Sequence, residues 1–124
     1  MAAKTVLLVD DEEIVLGVGK QMLEKLGFSV LTAKNGKEAL DVYKINQNDI
    51  DFVVLDMILP DMEAADTYVE LRSINPAIKV LLSSGYGAGQ QTSELLSRGC
   101  SGFIQKPFNM QSLSEKIEEI INSP

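Results

Sequence analysis

Residues 51–62 read DFVVLDMILPDM. Phe52, Val53, Val54 and Leu55 make an unbroken apolar run. A strand wet on one face alternates apolar and polar residues, whereas one covered on both faces does not. The run stops at Asp56, and Pro60 follows soon after. A strand covered on both faces is what a parallel sheet flanked by helices contains, if helices alternate with such runs along the chain. This stretch therefore decides the fold, and it puts a carboxylate where that strand ends.

The same pattern repeats outward. TVLLV (5–9), SVLTA (29–33), the run over 78–83 and GFIQ (102–105) read as further short strands. Between them, residues 12–26 carry Ile14, Val18, Met22 and Leu26 at helical spacing, with Val15 and Leu23 beside that stripe. Gly27 stands where a helix C-terminal glycine belongs. Asn35 followed by Glu38 marks a capped start for a helix running through 45. A third helix spans 64–74 and stops before Pro76. A fourth covers 90–98 and is stopped by Gly99. The last carries Met110, Leu113, Ile117 and Ile120 on one face, with Asn109 as its cap. Strict strand–helix alternation predicts an α/β fold, a parallel sheet with helices on both faces. No repeat, linker or low-complexity segment interrupts residues 1–124, which read as a single domain.

Composition narrows the chemistry. Apolar residues make up 45% and charged residues 23%, ordinary for a globular domain. The net charge of −7 argues against direct nucleic acid binding and against anionic lipid. No apolar run approaches the roughly 18 residues of a membrane helix. The apolar stretch near the N-terminus runs straight into Asp10, Asp11, Glu12 and Glu13, unlike a signal peptide. A lone cysteine, Cys100, permits no internal disulfide. Together these features lead us to expect a cytoplasmic protein. The absence of histidine excludes Ser-His-Asp and Cys-His catalysis and any imidazole metal ligand.

Sheets of this kind carry their sites at the C-terminal strand ends. There the sequence places Asp10 and Asp11, then Asp56, then Ser83 and Ser84, then Lys106 and Pro107. Three clustered aspartates repel one another unless neutralised, by a divalent cation, by the Lys106 ammonium, or by both. With only oxygen ligands the fitting ion is Mg2+, with Mn2+ able to substitute, rather than Zn2+. A carboxylate beside such an ion can attack phosphorus, while metal and lysine stabilise the transferring oxygens. The Ser84 hydroxyl is placed to donate to one of those oxygens. Each residue alone has a plainer reading. Asp11 could cap a helix, Ser83 and Ser84 could be loop residues, and Lys106 could be surface charge. Glu12 and Glu13 read as first-turn acids favoured by the helix dipole. Convergence on one sheet edge favours the functional reading.

VLLVDDEE, VVLDMILPDM, VLLSSGY and GFIQKPF, in this order and on these strand ends, make the chain resemble a response-regulator receiver domain. That is the phosphoacceptor module of two-component signalling, and the resemblance covers essentially the whole chain. It implies a flavodoxin-like, doubly wound five-stranded parallel sheet in the order 2-1-3-4-5. It makes Asp56 the phosphoacceptor. Asp11 would hold Mg2+ directly and Asp10 largely through water, with the Ile58 backbone carbonyl as a further ligand. Ser84 takes the hydroxyl switch position, Lys106 the phosphate-binding position and Phe103 the switch-aromatic position. The Lys106–Pro107 bond is expected to be cis. The phosphoryl donor would be a phosphohistidine on a kinase or phosphotransfer domain. Phosphorylation would switch the face made by the fourth helix, fifth strand and last helix. As an isolated domain it would be no enzyme beyond its own phosphorylation and dephosphorylation.

LLSSGY and GCSGFIQKPF look most like receivers of hybrid sensor histidine kinases, so the parent chain can be one. Two positions depart from the family pattern. Ala64 stands where glycine is usual, implying a backbone without positive φ there or a slightly shifted helix start. Phe103 lacks a tyrosine hydroxyl. Ile58 and Tyr86 are expected to flank the acceptor and shield its phosphate from water.

Rival classes fit less well. GYGAG (85–89) follows the fourth strand rather than the first and lacks the third glycine of a dinucleotide fingerprint. It reads better as a loop of small residues. A flavodoxin would need an anion-binding first loop, and VDDEE has the wrong sign. An aspartate-dependent phosphohydrolase typically places an acid two residues after its nucleophile, where this chain has Ile58. A phosphorylation-independent adaptor would not need the acceptor machinery.

Overall fold

The apolar runs pair into one parallel sheet. The computed structural model describes residues 4–85 and 89–122. In chain order the elements are β1 Thr5–Val9, α1 Glu13–Lys25, β2 Ser29–Ala33, α2 Gly36–Asn46 and β3 Ile50–Asp56. They continue as α3 Ala64–Ile74, β4 Val80–Ser84, α4 Gln90–Ser97, β5 Gly102–Gln105 and α5 Met110–Asn122. The strands lie in the order β2-β1-β3-β4-β5, all parallel. This is the flavodoxin-like topology expected from the sequence.

Successive residues of the inner strands serve opposite faces, as the pleat requires. Leu7, Val9, Val53, Leu55, Val80 and Leu82 join the core under α2, α3 and α4. Val6, Leu8, Phe52, Val54 and Leu81 join the core under α1 and α5, where Leu113, Ile117 and Ile120 meet them. Phe52, fully buried, also forms a T-shaped pair with Phe28, with ring centroids 5.4 Å apart at 82°.

The structure adds a detail to α1 and corrects the bounds of one strand. The face of α1 turned to the sheet is Leu16, Gly19 and Leu23, whereas Ile14 is 83% exposed and Val18 47%. Gly19 is the reason. A methyl there would come within 2.9 Å of Leu8 Cδ2, so the helix lies close on β1 through a residue with no side chain. An apolar-periodicity argument cannot see such a contact. The fourth strand begins at Val80 rather than at 78, because the Ile78 N–H is spent on a turn, donating to Asn75 O at 3.0 Å. It also runs one residue further, to Ser84.

Helix ends are secured by local caps and by distant charges. Asn35 Oδ1 accepts from the Glu38 N–H, and Asn109 Oδ1 from Ser112 N–H, each at 2.8 Å. α1 and α4 end on Gly27 and Gly99 at φ of 97° and 120°. In each case the next N–H reaches back to the helix, Phe28 to Leu23 O and Cys100 to Leu95 O. Three ends, two of them among those just named, also take a charged side chain from elsewhere. Asp61 accepts from the first N–H groups of α2. Arg72 donates to the Arg98 carbonyl that closes α4. Lys79 donates to Ile120 O and Ile121 O in the last turn of α5. Each charge has the sign that the helix dipole favours. Among the described residues no helix is long and apolar enough to cross a membrane.

Candidate functional site at the C-terminal sheet edge

Topology brings the expected residues together. β1 and β3 are neighbours, so Asp10, just after β1, and Asp56, the last residue of β3, end side by side. β4 lies next to β3 and pairs Asp56 with Ser83. Ser84 pairs with Gln105 across the β4–β5 ladder, and its carbonyl accepts from Lys106 N–H at 2.7 Å. The Lys106–Pro107 peptide bond is cis.

Asp10 and Asp56 are both 3% exposed, whereas Asp11 is exposed. The Lys106 ammonium lies 2.8 Å from Asp10 Oδ2 and 3.3 Å from Asp56 Oδ2. Asp10 Oδ1 accepts from the Glu12 N–H at 2.9 Å, and Asp56 Oδ1 from the Ile58 N–H at 3.3 Å. Burial and the neighbouring Asp10 charge push the Asp56 carboxyl up to about 6, against the opposing pull of Lys106 and the Ile58 N–H. Burial works against the charged form of Lys106. Its hydrogen bond to Asp10 and the charges of Asp56 and Asp10 outweigh that, so its pKa is raised.

One ammonium thus serves a cluster of three acids. Each of Asp10, Asp11 and Asp56 offers a carboxylate oxygen within 4.8 Å of the others. An all-oxygen set with excess negative charge fits a hard divalent cation, and Mg2+ needs only a few such ligands.

Of the remaining expected residues, Ser84 is 5% exposed, while Ile58 is 58% exposed beside the acceptor. Phe103 is half-buried against the core under α2, α3 and α4. Ala64 opens α3 at 3% exposure, and no described non-glycine residue has positive φ, so the missing glycine leaves no strained turn. Tyr86 and Gly87 lie outside the described residues. Three neighbours were not singled out as site residues from the sequence. Ile14, Val18 and Phe108 line a groove of about 690 Å³ that opens onto Asp56 and Lys106. The available signal for Ile14 and Val18 was the apolar α1 stripe, whose spacing marks a helix without saying which way the stripe faces.

Residues 6–118 match the family described as the response regulator receiver domain. The chain belongs to that family. It is 34% identical over 117 residues to the sensor kinase CckA of Brucella abortus, matching 94% of this chain but 12% of that protein. It is 32% identical to the chemotaxis protein CheY of Thermotoga maritima, covering 94% of this chain and 97% of CheY. Among solved structures it resembles response regulator TrrA of Thermotoga maritima, in complex with Mg2+ and BeF. That likeness has a TM-score of 0.81 at 31% identity, over 94% of this chain and 98% of the other.

Proposed function

We propose that this domain accepts a phosphoryl group from a phosphohistidine on Asp56, in a Mg2+-dependent reaction, and so relays a two-component signal. The observation that carries the reading is the buried Asp56 carboxylate, 3.3 Å from Lys106 Nζ and within an acidic cluster that one lysine cannot neutralise. Asp11 and Asp56 would hold Mg2+ through carboxylate oxygens, with Asp10 behind them and the Ile58 carbonyl completing the protein's share. Bound there, the ion supplies positive charge against the phosphoryl oxygens and keeps Asp56 ionised.

The protein's own groups do the rest. An Asp56 carboxylate oxygen attacks phosphorus. The P–N bond to the donor imidazole breaks, and the imidazole, protonated on its other nitrogen, leaves neutral. Lys106 holds one phosphoryl oxygen by charge and Ser84 Oγ donates to another. The groove beside Asp56, with exposed Ile14, Val18 and Ile58, suits an apolar helix of the donor. Ser84 and Phe103 would then shift together and bias the α4–β5–α5 face between two states. Ile58 would shield the acyl phosphate from water. The domain modifies only itself; an apolar Ile58 where phosphohydrolases place an acid favours that over turnover. On the same reading it works in the cytoplasm, standing alone or within a hybrid kinase.

The test is incubation with Mg2+ and acetyl phosphate, followed by intact mass. Wild type should gain one phosphoryl group and Asp56→Asn none. No gain in wild type, or an equal gain in the variant, overturns the reading.

A further inference from the structure

The loop after Asp56 is fastened to a helix that contributes nothing else to the site. Residues 57–63 fold back on themselves through an antiparallel bridge between Ile58 and Glu63. Near the tip, Asp61 points away from the acceptor. Its Oδ1 accepts from Gly36 N–H at 2.8 Å and its Oδ2 from Lys37 N–H at 3.0 Å. Those are the first two N–H groups of α2; the third, on Glu38, goes to Asn35. The next residue, Met62, sits directly on Gly36, where a methyl would come within 2.7 Å of Sδ. Loop and helix thus meet in one joint, made of a two-pronged hydrogen bond and a close contact. α2 is in turn anchored in the core by Ala39, Leu40 and Tyr43.

We propose that Asp61 is a positioning residue for the ion site: its grip on the first turn of α2 holds the 57–63 loop, and with it Ile58, whose N–H bonds Asp56 Oδ1, beside the acidic cluster. The inference rests on the phosphoacceptor reading, which gives Ile58 its role. A carboxylate suits this duty because both oxygens can each take an N–H at a positive helix end. Without it the two N–H groups would turn to water, and the outer part of the loop would lose its hydrogen-bonded tie to α2, while its base kept the Met57 N–H bond to Ser83 O and the Ile58 N–H bond to Asp56. Asp61 touches neither phosphate nor ion, so its removal should weaken ion binding without removing a ligand.

Isothermal titration with Mg2+, with no phosphodonor present, tests this on wild type, Asp61→Ala, Asp61→Asn and Asn35→Ala. Asp61→Ala should bind Mg2+ about ten-fold more weakly, the low end of what losing an outer support of a metal ligand does. Asp61→Asn, which keeps one acceptor oxygen, should fall between. Asn35→Ala removes the other cap of α2 without touching the loop, so it should lower the melting temperature but leave Mg2+ affinity alone. In acetyl phosphate reactions, Asp61→Ala should need more Mg2+ for half-maximal rate yet reach a maximum within about two-fold of wild type. Unchanged affinity in folded Asp61→Ala, or an equal loss in Asn35→Ala, overturns the proposal. If wild type binds Mg2+ but gains no mass, the phosphoacceptor reading fails, while the affinity ratio still decides the role of Asp61. If wild type binds no Mg2+, both fall.

Discussion

Charged groups at the two ends of the sheet have opposite fates. At the N-terminal end they face backbone. Asp51 Oδ2 accepts from the Thr5 N–H at 2.7 Å, and Lys79 Nζ donates to Ile120 O at 2.8 Å and Ile121 O at 2.9 Å. At the C-terminal end they face one another, with Asp10 and Asp56 sharing Lys106. The first arrangement consumes its charges in holding the fold. The second leaves negative charge in excess among the described residues. Asp61 and Asp56 show the contrast within one loop. The Lys37 N–H, and then that of Gly36, hold the Asp61 carboxyl below its usual range, while burial pushes Asp56 up.

The largest expected effect comes from taking the cation out of the crowded end. Lys106→Met should slow acetyl phosphate labelling of Asp56 by about 10²-fold or more at saturating Mg2+, as loss of a preorganised charge does at other sites. A time course by intact mass reads it, and a rate within a few-fold of wild type would mean that the lysine only balances charge in the resting state.

Next comes the pH dependence of that end without metal. Asp56 titrates at about 6 in the folded chain against 3.8 ordinarily, so folding favours its protonated form. Its contribution is neutral below about pH 4. It turns destabilising as pH rises toward 6 and is constant above, amounting to about 3 kcal/mol. Urea unfolding in chelator should therefore show wild type losing stability relative to Asp56→Asn between pH 4 and 6. Parallel pH curves for the two proteins would contradict the crowding.

At the other end, Lys79→Met should cost about 2 kcal/mol, from two charge-assisted bonds to the end of α5. It should leave Mg2+ affinity untouched, as calorimetry can check. A change in affinity would mean that the two ends are coupled through β4. The smallest effect belongs to Lys34→Ala, which breaks the Lys34–Glu13 pair at 2.9 Å, 54% and 77% exposed. Solvent screens such a pair, and the thermal midpoint should not move measurably.

Much of this was legible in the chain. The alternation of apolar runs and helical patterns led to the α/β fold, and strand ends pointed to Asp10, Asp11, Asp56, Ser84 and Lys106. Less legible was anything carried by a small or distant residue. The apolar spacing of α1 did not show which face meets the sheet, because Gly19, which has no side chain to count, lies on that face against Leu8. Asp61 carried no signal within DFVVLDMILPDM, because its partners lie 25 and 24 residues back.

Local pattern determined what is local by physics. Hydrophobic periodicity reports which faces are buried, and turn and cap residues report where elements stop. Apolar runs in strict alternation with helical stripes belong to a parallel sheet with helices on both sides. Strand ends already drew Asp10, Asp11, Asp56 and Lys106 to one edge; only the tertiary structure decided the contacts each charge makes. Whether an aspartate ends beside another carboxylate, as Asp56 does, or beside free N–H groups, as Asp61 does, depends on strand order and on how a helix end is set against a loop. Those distances join residues far apart in the chain, and no spacing along the chain encodes them.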